Sequence, residues 1–386
     1  YILSPFIFLG NFKMNLTVFN LKDVKANNKP LFLPEMQGLS IQRFDVPKYP
    51  FLLKMLNTML SAYWLPEEIP MDVDKSNFSK MSEAEEHVVI SNIKSQILLD
   101  SIMGRAPDII FGPALGDPVL EAVVKTWSFQ EMVHSKSYTY IIQNSFSNPD
   151  EVLSGVMDID GIVKRSETIT AIYDACTQHI TDYYEGKCSR LEAVKYVYLA
   201  LHGANALESI RFPVSFACSF AFAQNGILPG LGNIISLINR DENSHAAITS
   251  NILAMLPSDD EDFAIVAKDP EVISQVQDIW KTTYYEELEW TDYLFSKGEI
   301  FGLNARVLKQ YLTYVATFRL KAIDVGTTTD VLGVEPVNDN PIRWINEWIN
   351  NKSNQPAPQE TELVNYERGV IDLNDGLSGL DVNLGF

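Results

Sequence analysis

The sequence predicts an all-α helical bundle, and three observations carry that reading. Apolar residues recur at steps of three and four along eight long segments, the period of a helix with one buried face. Strand signals are sparse. Turn formers mark breaks between the segments, while Pro213 falls inside one. In chain order the segments are 48–63, 83–103, 117–146, 160–186, 189–223, 231–256, 270–297 and 303–324. Gly104 and Pro107 close the second, Asp117 and Pro118 open the third, and Pro229, Gly230 and Gly232 mark the start of the sixth.

Composition bounds the function. The chain has 386 residues, 46% hydrophobic and 21% charged, which is ample for a packed core. Its formal charge of −20 repels phosphate and excludes a general nucleic-acid binder. Cys176, Cys188 and Cys218 make neither a disulfide framework nor a CxxC zinc site, so a reducing, cytoplasmic setting is expected. No apolar run reaches 18 residues, so no membrane span is expected. A Gly-rich phosphate loop and a GxSxG elbow are both missing.

Three regions are expected. Residues 1–39 read as an N-terminal extension, poorly ordered over the apolar lead 1–13, which lacks the basic start and cleavage site of a signal peptide. Residues 40–350 form the helical body. Residues 351–386 are rich in Asn, Gln, Pro, Gly and Asp, with six acidic side chains against two basic ones, and read as a flexible acidic tail.

The chemistry lies in two Glu-x-x-His pairs, Glu131/His134 and Glu242/His245. On a helix, residues three apart share a face, so each pair can clamp one cation. One such pair is as readily a surface contact. Here, however, the apolar stripe of 117–146 runs Leu120, Val124, Trp127, Glu131, His134, Tyr138, Ile141, and that of 231–256 runs Ile235, Ile238, Glu242, His245, Thr249, Ile252. Both pairs therefore occupy core positions, where a carboxylate is costly unless paired or metal-bound. Two further carboxylates stand where apolar residues belong: Asp100 after Ile90, Ile93 and Ile97, and Glu208 between Leu201, Asn205 and Phe212, Phe216. Two ExxH helices plus one carboxylate from each of two others is the carboxylate-bridged dimetal arrangement of a ferritin-like bundle. Four carboxylates balance two divalent cations, and mixed O/N donors without cysteine suit Fe(II) or Mn(II). Tyr138 lies one turn beyond His134 on the same stripe. It is either a core tyrosine or a phenol placed for oxidation, with Phe212, Phe216 and Ile238 available to wall it from water. Pro213 removes a helical hydrogen bond close to Glu208, which favours a kink or a π-bulge there.

The segments LLDSIMGRAP (98–107), WSFQEMVHSKSYTYI (127–141), NALESIRFPVSFACSFAFA (205–223) and INRDENSH (238–245) resemble the small, radical-generating subunit of class I ribonucleotide reductase, closest to class Ia. The resemblance runs from about residue 40 to the C-terminus. It implies metal ligands at Asp100, Glu131, His134, Glu208, Glu242 and His245, a stable radical on Tyr138, and two iron ions, oxo-bridged when oxidised, with a di-manganese centre as the alternative. It also implies an electron-transfer tryptophan at Trp64 in AYWLPEEI, linked to His134 through Asp241. Tyr366 and Glu360 in APQETELVNY match tail residues that relay the radical to the large subunit. The implied assembly is a homodimer that activates dioxygen and joins a large subunit, where a thioredoxin- or glutaredoxin-type reductant supports reduction of ribonucleotides to deoxyribonucleotides. The competing readings are another ferritin-like dimetal oxidase or hydroxylase, and a non-enzymatic iron-binding bundle.

Overall fold

The computed structural model describes residues 18–21, 29–34, 39 and 41–349. These form helices α1 (Pro50–Ser61), α2 (Asp72–Phe78), α3 (Glu83–Met103), α4 (Pro118–Ser145), α5 (Pro149–Ser154), α6 (Asp160–Tyr184), α7 (Arg190–Ala206), α8 (Phe212–Gln224), α9 (Pro229–Asp259), α10 (Glu261–Val266), α11 (Pro270–Leu294), α12 (Ala305–Ala322), α13 (Thr328–Leu332) and α14 (Asn346–Ile349). The bundle is all-α: the described residues hold no strand beyond the single bridges Phe32–Leu115 and Ile300–Leu303. No helix among them is long and apolar enough to cross a membrane.

The eight long helices expected from periodicity are all present, with one division. The segment 189–223 is not one α-helix. A turn of π-helix, Leu207–Arg211, separates α7 from α8, and Pro213 sits in the first turn of α8. Proline brings no N–H to bond back into the preceding turn, so the wider turn forms where that bond is missing. A second π turn, Pro107–Phe111, follows α3 and was not expected from the sequence.

Helices α3, α4, α7–α8 and α9 make the inner bundle, with α6 and α11 packed on α7, α12 on α11 and α1 on α4. Buried polar contacts lock the inner helices together. Asn205 on α7 donates to the Ala246 carbonyl (3.0 Å) and to the hydroxyls of Thr249 (2.7 Å) and Ser250 (2.9 Å) on α9. Asn92 and Gln96 on α3 engage Ser215 on α8. The stripe expected on α3 is corrected here: Val89, Asn92, Ile93, Gln96, Leu99 and Asp100 face inward, while Ile90 and Ile97 are only half-buried.

The start of α9 fixes Glu242 and His245 in register. Its first residue is Pro229, and the N–H groups of Gly230 and Leu231 donate to the buried Asp74 carboxylate of α2 at 2.8 and 2.7 Å. Gly232 permits close approach to α8, since a β-carbon there would lie 2.3 Å from that of Ala223. Part of the expected N-terminal extension packs on the body: Leu31, Phe32 and Leu33 are buried, and the Leu31 N–H donates to Asp259 at 2.7 Å. Residues 1–17 and the tail 351–386, with Tyr366 and Glu360, lie outside the described residues.

Candidate metal centre

Four stretches of backbone converge on one buried cluster. Helix α4 is started by Asp117, which accepts from the N–H groups of Val119 and Leu120, and it carries Glu131, His134 and Tyr138 on its inner face. Helix α9 carries Glu242 and His245, α3 carries Asp100 three residues before its end, and the π turn carries Glu208. All six candidate ligands are at most 2% exposed.

The geometry divides them into two overlapping sets, Asp100/Glu131/His134/Glu242 and Glu131/Glu208/Glu242/His245, in each of which the donor atoms lie within 4.8 Å of one another. His134 Nδ1 is 3.3 Å from Glu131 Oε2, 3.1 Å from Glu242 Oε1 and 3.9 Å from Asp100 Oδ2. His245 Nδ1 is 3.0 Å from Glu131 Oε1, 2.9 Å from Glu242 Oε2 and 4.0 Å from Glu208 Oε2. Glu131 and Glu242 each reach both histidines and so occupy bridging positions; Asp100 and Glu208 each serve one side.

The far side of each imidazole is held. The Asp241 carboxylate accepts from His134 Nε2 (3.3 Å) and from Trp64 Nε1 (2.8 Å), and the Trp64 and His134 rings stack with centroids 6.2 Å apart. Because a carboxylate only accepts, the neutral imidazole keeps its proton on Nε2 and turns a bare Nδ1 toward the cluster. Gln130 Oε1 does the same for His245 Nε2 at 3.0 Å, and Trp127 Nε1 donates to Glu131 Oε1 at 2.9 Å. Sequence reading missed Gln130 and used Trp127 only as a stripe residue; the available signal was that both lie within one turn of Glu131.

Electrostatics follow from burial. Without cations, burial raises the carboxyls of Asp100 and Glu208 well above the usual range, reinforced by Glu131 and Glu242. Burial also opposes ionisation of Glu131, but its close approach to His134 and His245 outweighs it and brings this carboxyl down to about 2. Burial disfavours both imidazolium ions, yet the carboxylates more than compensate: Glu242 and its neighbours hold His134 well above its usual value, and Glu131 and Glu242 hold His245 at about 9.

The donor set fits a pair of divalent cations. Both oxygens of Asp100 and of Glu208, Glu131 Oε2, Glu242 Oε1 and His134 Nδ1 are buried without a hydrogen-bond partner. Buried polar atoms are ordinarily satisfied, so a cluster of orphans facing one another indicates charge supplied from outside the chain. The Tyr138 hydroxyl, fully buried one turn from His134, is orphaned as well. Burial, then the charges of Asp100 and Glu242, keep its pKa well above that of a free phenol. Phe212, Phe216 and Ile238 are fully buried, and the two phenylalanines stack at 5.5 Å.

Fold and site together define a helical-bundle protein with a carboxylate–histidine dimetal centre beside a buried phenol. Comparison with known proteins narrows that class. The family described as "Ribonucleotide reductase, small chain" matches residues 43–328, and the chain belongs to this family. It is 37% identical over 374 residues to ribonucleoside-diphosphate reductase 1 subunit beta of Salmonella typhimurium, covering 93% of this chain and 96% of that one. It is 38% identical over 372 residues to the subunit beta of Buchnera aphidicola, with the same coverage. Among solved structures it is similar to the ribonucleotide reductase R2 subunit from Clostridium botulinum, with a TM-score of 0.72 at 22% identity over 86% of this chain and 98% of that one.

Proposed function

We propose that this chain is the small subunit of a ribonucleoside-diphosphate reductase that stores an oxidising equivalent as a radical on Tyr138 and passes it to a large subunit. The observation that carries the reading is the orphaned phenol of Tyr138 beside six buried ligands, with the Asp241 carboxylate joining the ligand His134 to Trp64. Asp100, Glu131, His134, Glu208, Glu242 and His245 hold the metals. A bound pair of redox-active ions, iron in this reading and manganese as the alternative, would supply two of the four electrons that reduce dioxygen and the oxidising power that takes a third from the phenol, the fourth coming from an external one-electron reductant.

The chain's own residues do the rest. Because its pKa is raised, Tyr138 is a neutral phenol near pH 7, so it must lose a proton together with an electron. The charge of Asp100 acts on the phenol more strongly than any other, and this carboxylate takes the proton. Phe212, Phe216 and Ile238 exclude water and reductants from the radical. Trp64 exchanges an electron with the site across Asp241 and His134. Glu360 and Tyr366 extend the route to the large subunit, which reduces the ribose. The protein works as a homodimer joined to that subunit in the cytoplasm.

The test is nucleotide reduction with the cognate large subunit. Full-length chain loaded with Fe(II) in air should support turnover and show a tyrosyl EPR signal. A chain ending at residue 350 should retain the EPR signal and lose turnover. Turnover that survives the truncation, or activity toward a small organic substrate without a large subunit, would replace this reading with that of a self-contained dimetal oxidase.

A further inference from the structure

Outside the metal cluster, the described residues bury a second group of charges. Arg165 on α6, Arg211 at the end of the π turn, and the adjacent Glu286 and Glu287 on α11 are all at most 6% exposed. Arg211 donates to Glu286 Oε2 at 2.5 Å and to Glu287 Oε1 at 3.4 Å. Arg165 donates to Glu287 Oε1 at 2.8 Å and to the Ser95 hydroxyl of α3 at 2.6 Å, with its guanidinium 4.7 Å from the Trp290 ring. Thr168 donates to the other oxygen of Glu286 at 2.7 Å. Two cations and two anions thus form a neutral buried quartet.

Such a quartet adds little stability over apolar packing of the same volume, and its best-attested use is to fix a register. Here a register needs fixing. The π turn Leu207–Arg211 contains both Glu208 and Arg211. Sliding a wide turn by one residue along a helix rotates the side chains it passes by roughly 100°, enough to turn Glu208 away from the cluster. Pro213 cannot donate a backbone hydrogen bond, so the helix itself holds this stretch weakly. Arg211 leaves the turn toward α11, while Glu208 leaves it toward α4 and α9.

We propose that Arg211 is a positioning residue: its planar fork, held by Glu286 and Glu287, pins the π turn so that Glu208 aims at the metal cluster. The inference rests on the cluster being a two-metal site. It assigns Arg211 to the ion held by Glu131, Glu208, Glu242 and His245, and not to the ion held by Asp100, Glu131, His134 and Glu242.

The experiment is Mn(II) binding to the full-length chain, followed by calorimetry and by the EPR signal of free Mn(II). The pair Arg211→Met with Glu286→Gln removes one cation and one anion, leaving the core neutral. Wild type should bind two ions. The paired variant should bind one of them with roughly 10–100-fold weaker affinity and the other as before. Arg211→Lys keeps the charge without the fork and should give a smaller loss at the same ion; it decides the matter alone if the paired variant fails to fold. In a Glu208→Gln background the Arg211 substitutions should cost nothing further, because both act through one carboxylate. Equal weakening of both ions, no weakening, or full additivity with Glu208→Gln would each overturn the proposal. A wild-type chain that binds no Mn(II) or Fe(II) would overturn the metal reading beneath it.

Discussion

Metal uptake should expel protons, and the charge balance of the cluster gives the number expected. Four ionised carboxylates balance two divalent cations. Without cations the same buried cluster must find four positive charges elsewhere, and four of its groups are shifted toward their protonated forms: Asp100 and Glu208 by burial, His134 and His245 because neighbouring carboxylates overcome burial. Glu131, at about 2, carries no proton near neutrality. Filling both sites at pH 7 should therefore release about four protons per chain, or about two per ion. Raised pKa values mean that protons compete with metal below them, so affinity rises with pH. The overall two-ion constant should climb by about four decades per pH unit near neutrality, and less steeply once pH passes about 9, where His245 loses its proton unaided. Calorimetric titration of Mn(II) in buffers of different ionisation enthalpy measures the count directly. Release of fewer than one proton per ion would show that the cluster is already deprotonated and would refute this account of its charge balance.

Three other predictions concern single side chains. Tyr138→Phe deletes a hydroxyl that has no partner, so thermal stability should stay within about 1 kcal/mol of wild type and metal uptake should persist, while the EPR radical signal disappears; a persisting tyrosyl signal would move the radical elsewhere. Asp241→Ala strands Trp64 Nε1 and His134 Nε2, and should weaken metal binding roughly 10–100-fold in the same titration, with an unchanged affinity counting against any role for Asp241 in orienting His134. Asp74→Ala removes both hydrogen bonds to the start of α9 and should cost about 1–3 kcal/mol in denaturant unfolding; a loss below half of that would mean the helix start is held by packing alone.

The inner faces of α4 and α9 were legible because each alternates steps of three and four through apolar residues on both sides of its Glu and His, so the ligands inherit the burial of their neighbours. Helix α3 was less legible. Its inner face includes Asn92 and Gln96, whose partner Ser215 lies more than a hundred residues away, so the apolar count pointed to the half-buried Ile90 and Ile97 instead. Helices α2, α5, α10 and α13 are five to seven residues long, too short to show a period. Asp74 caps a helix 156 residues further on, a pairing that no local pattern signals. Nothing in the local sequence sets Arg165, Arg211, Glu286 and Glu287 apart from ordinary surface charges; only the fold brings them together inside. Pro213 did mark the one place where helical geometry gives way, since the missing N–H is a local property.

The site's polar atoms divide by direction. Facing outward, His134 Nε2 meets Asp241 and His245 Nε2 meets Gln130, while Trp127 reaches in to Glu131 Oε1. Facing inward, seven ligand atoms on Asp100, Glu131, His134, Glu208 and Glu242 make no hydrogen bond. At about 1–3 kcal/mol for each unsatisfied buried group, that inner surface rivals the ~5–15 kcal/mol by which a whole domain is stable. A core assembled for stability alone would place apolar side chains there. An outer ring completed with hydrogen bonds around an inner face left open is the arrangement of a receptor for charge. Tyr138 shares that open face rather than the completed ring, which groups its hydroxyl with the unsatisfied donor atoms of the cluster.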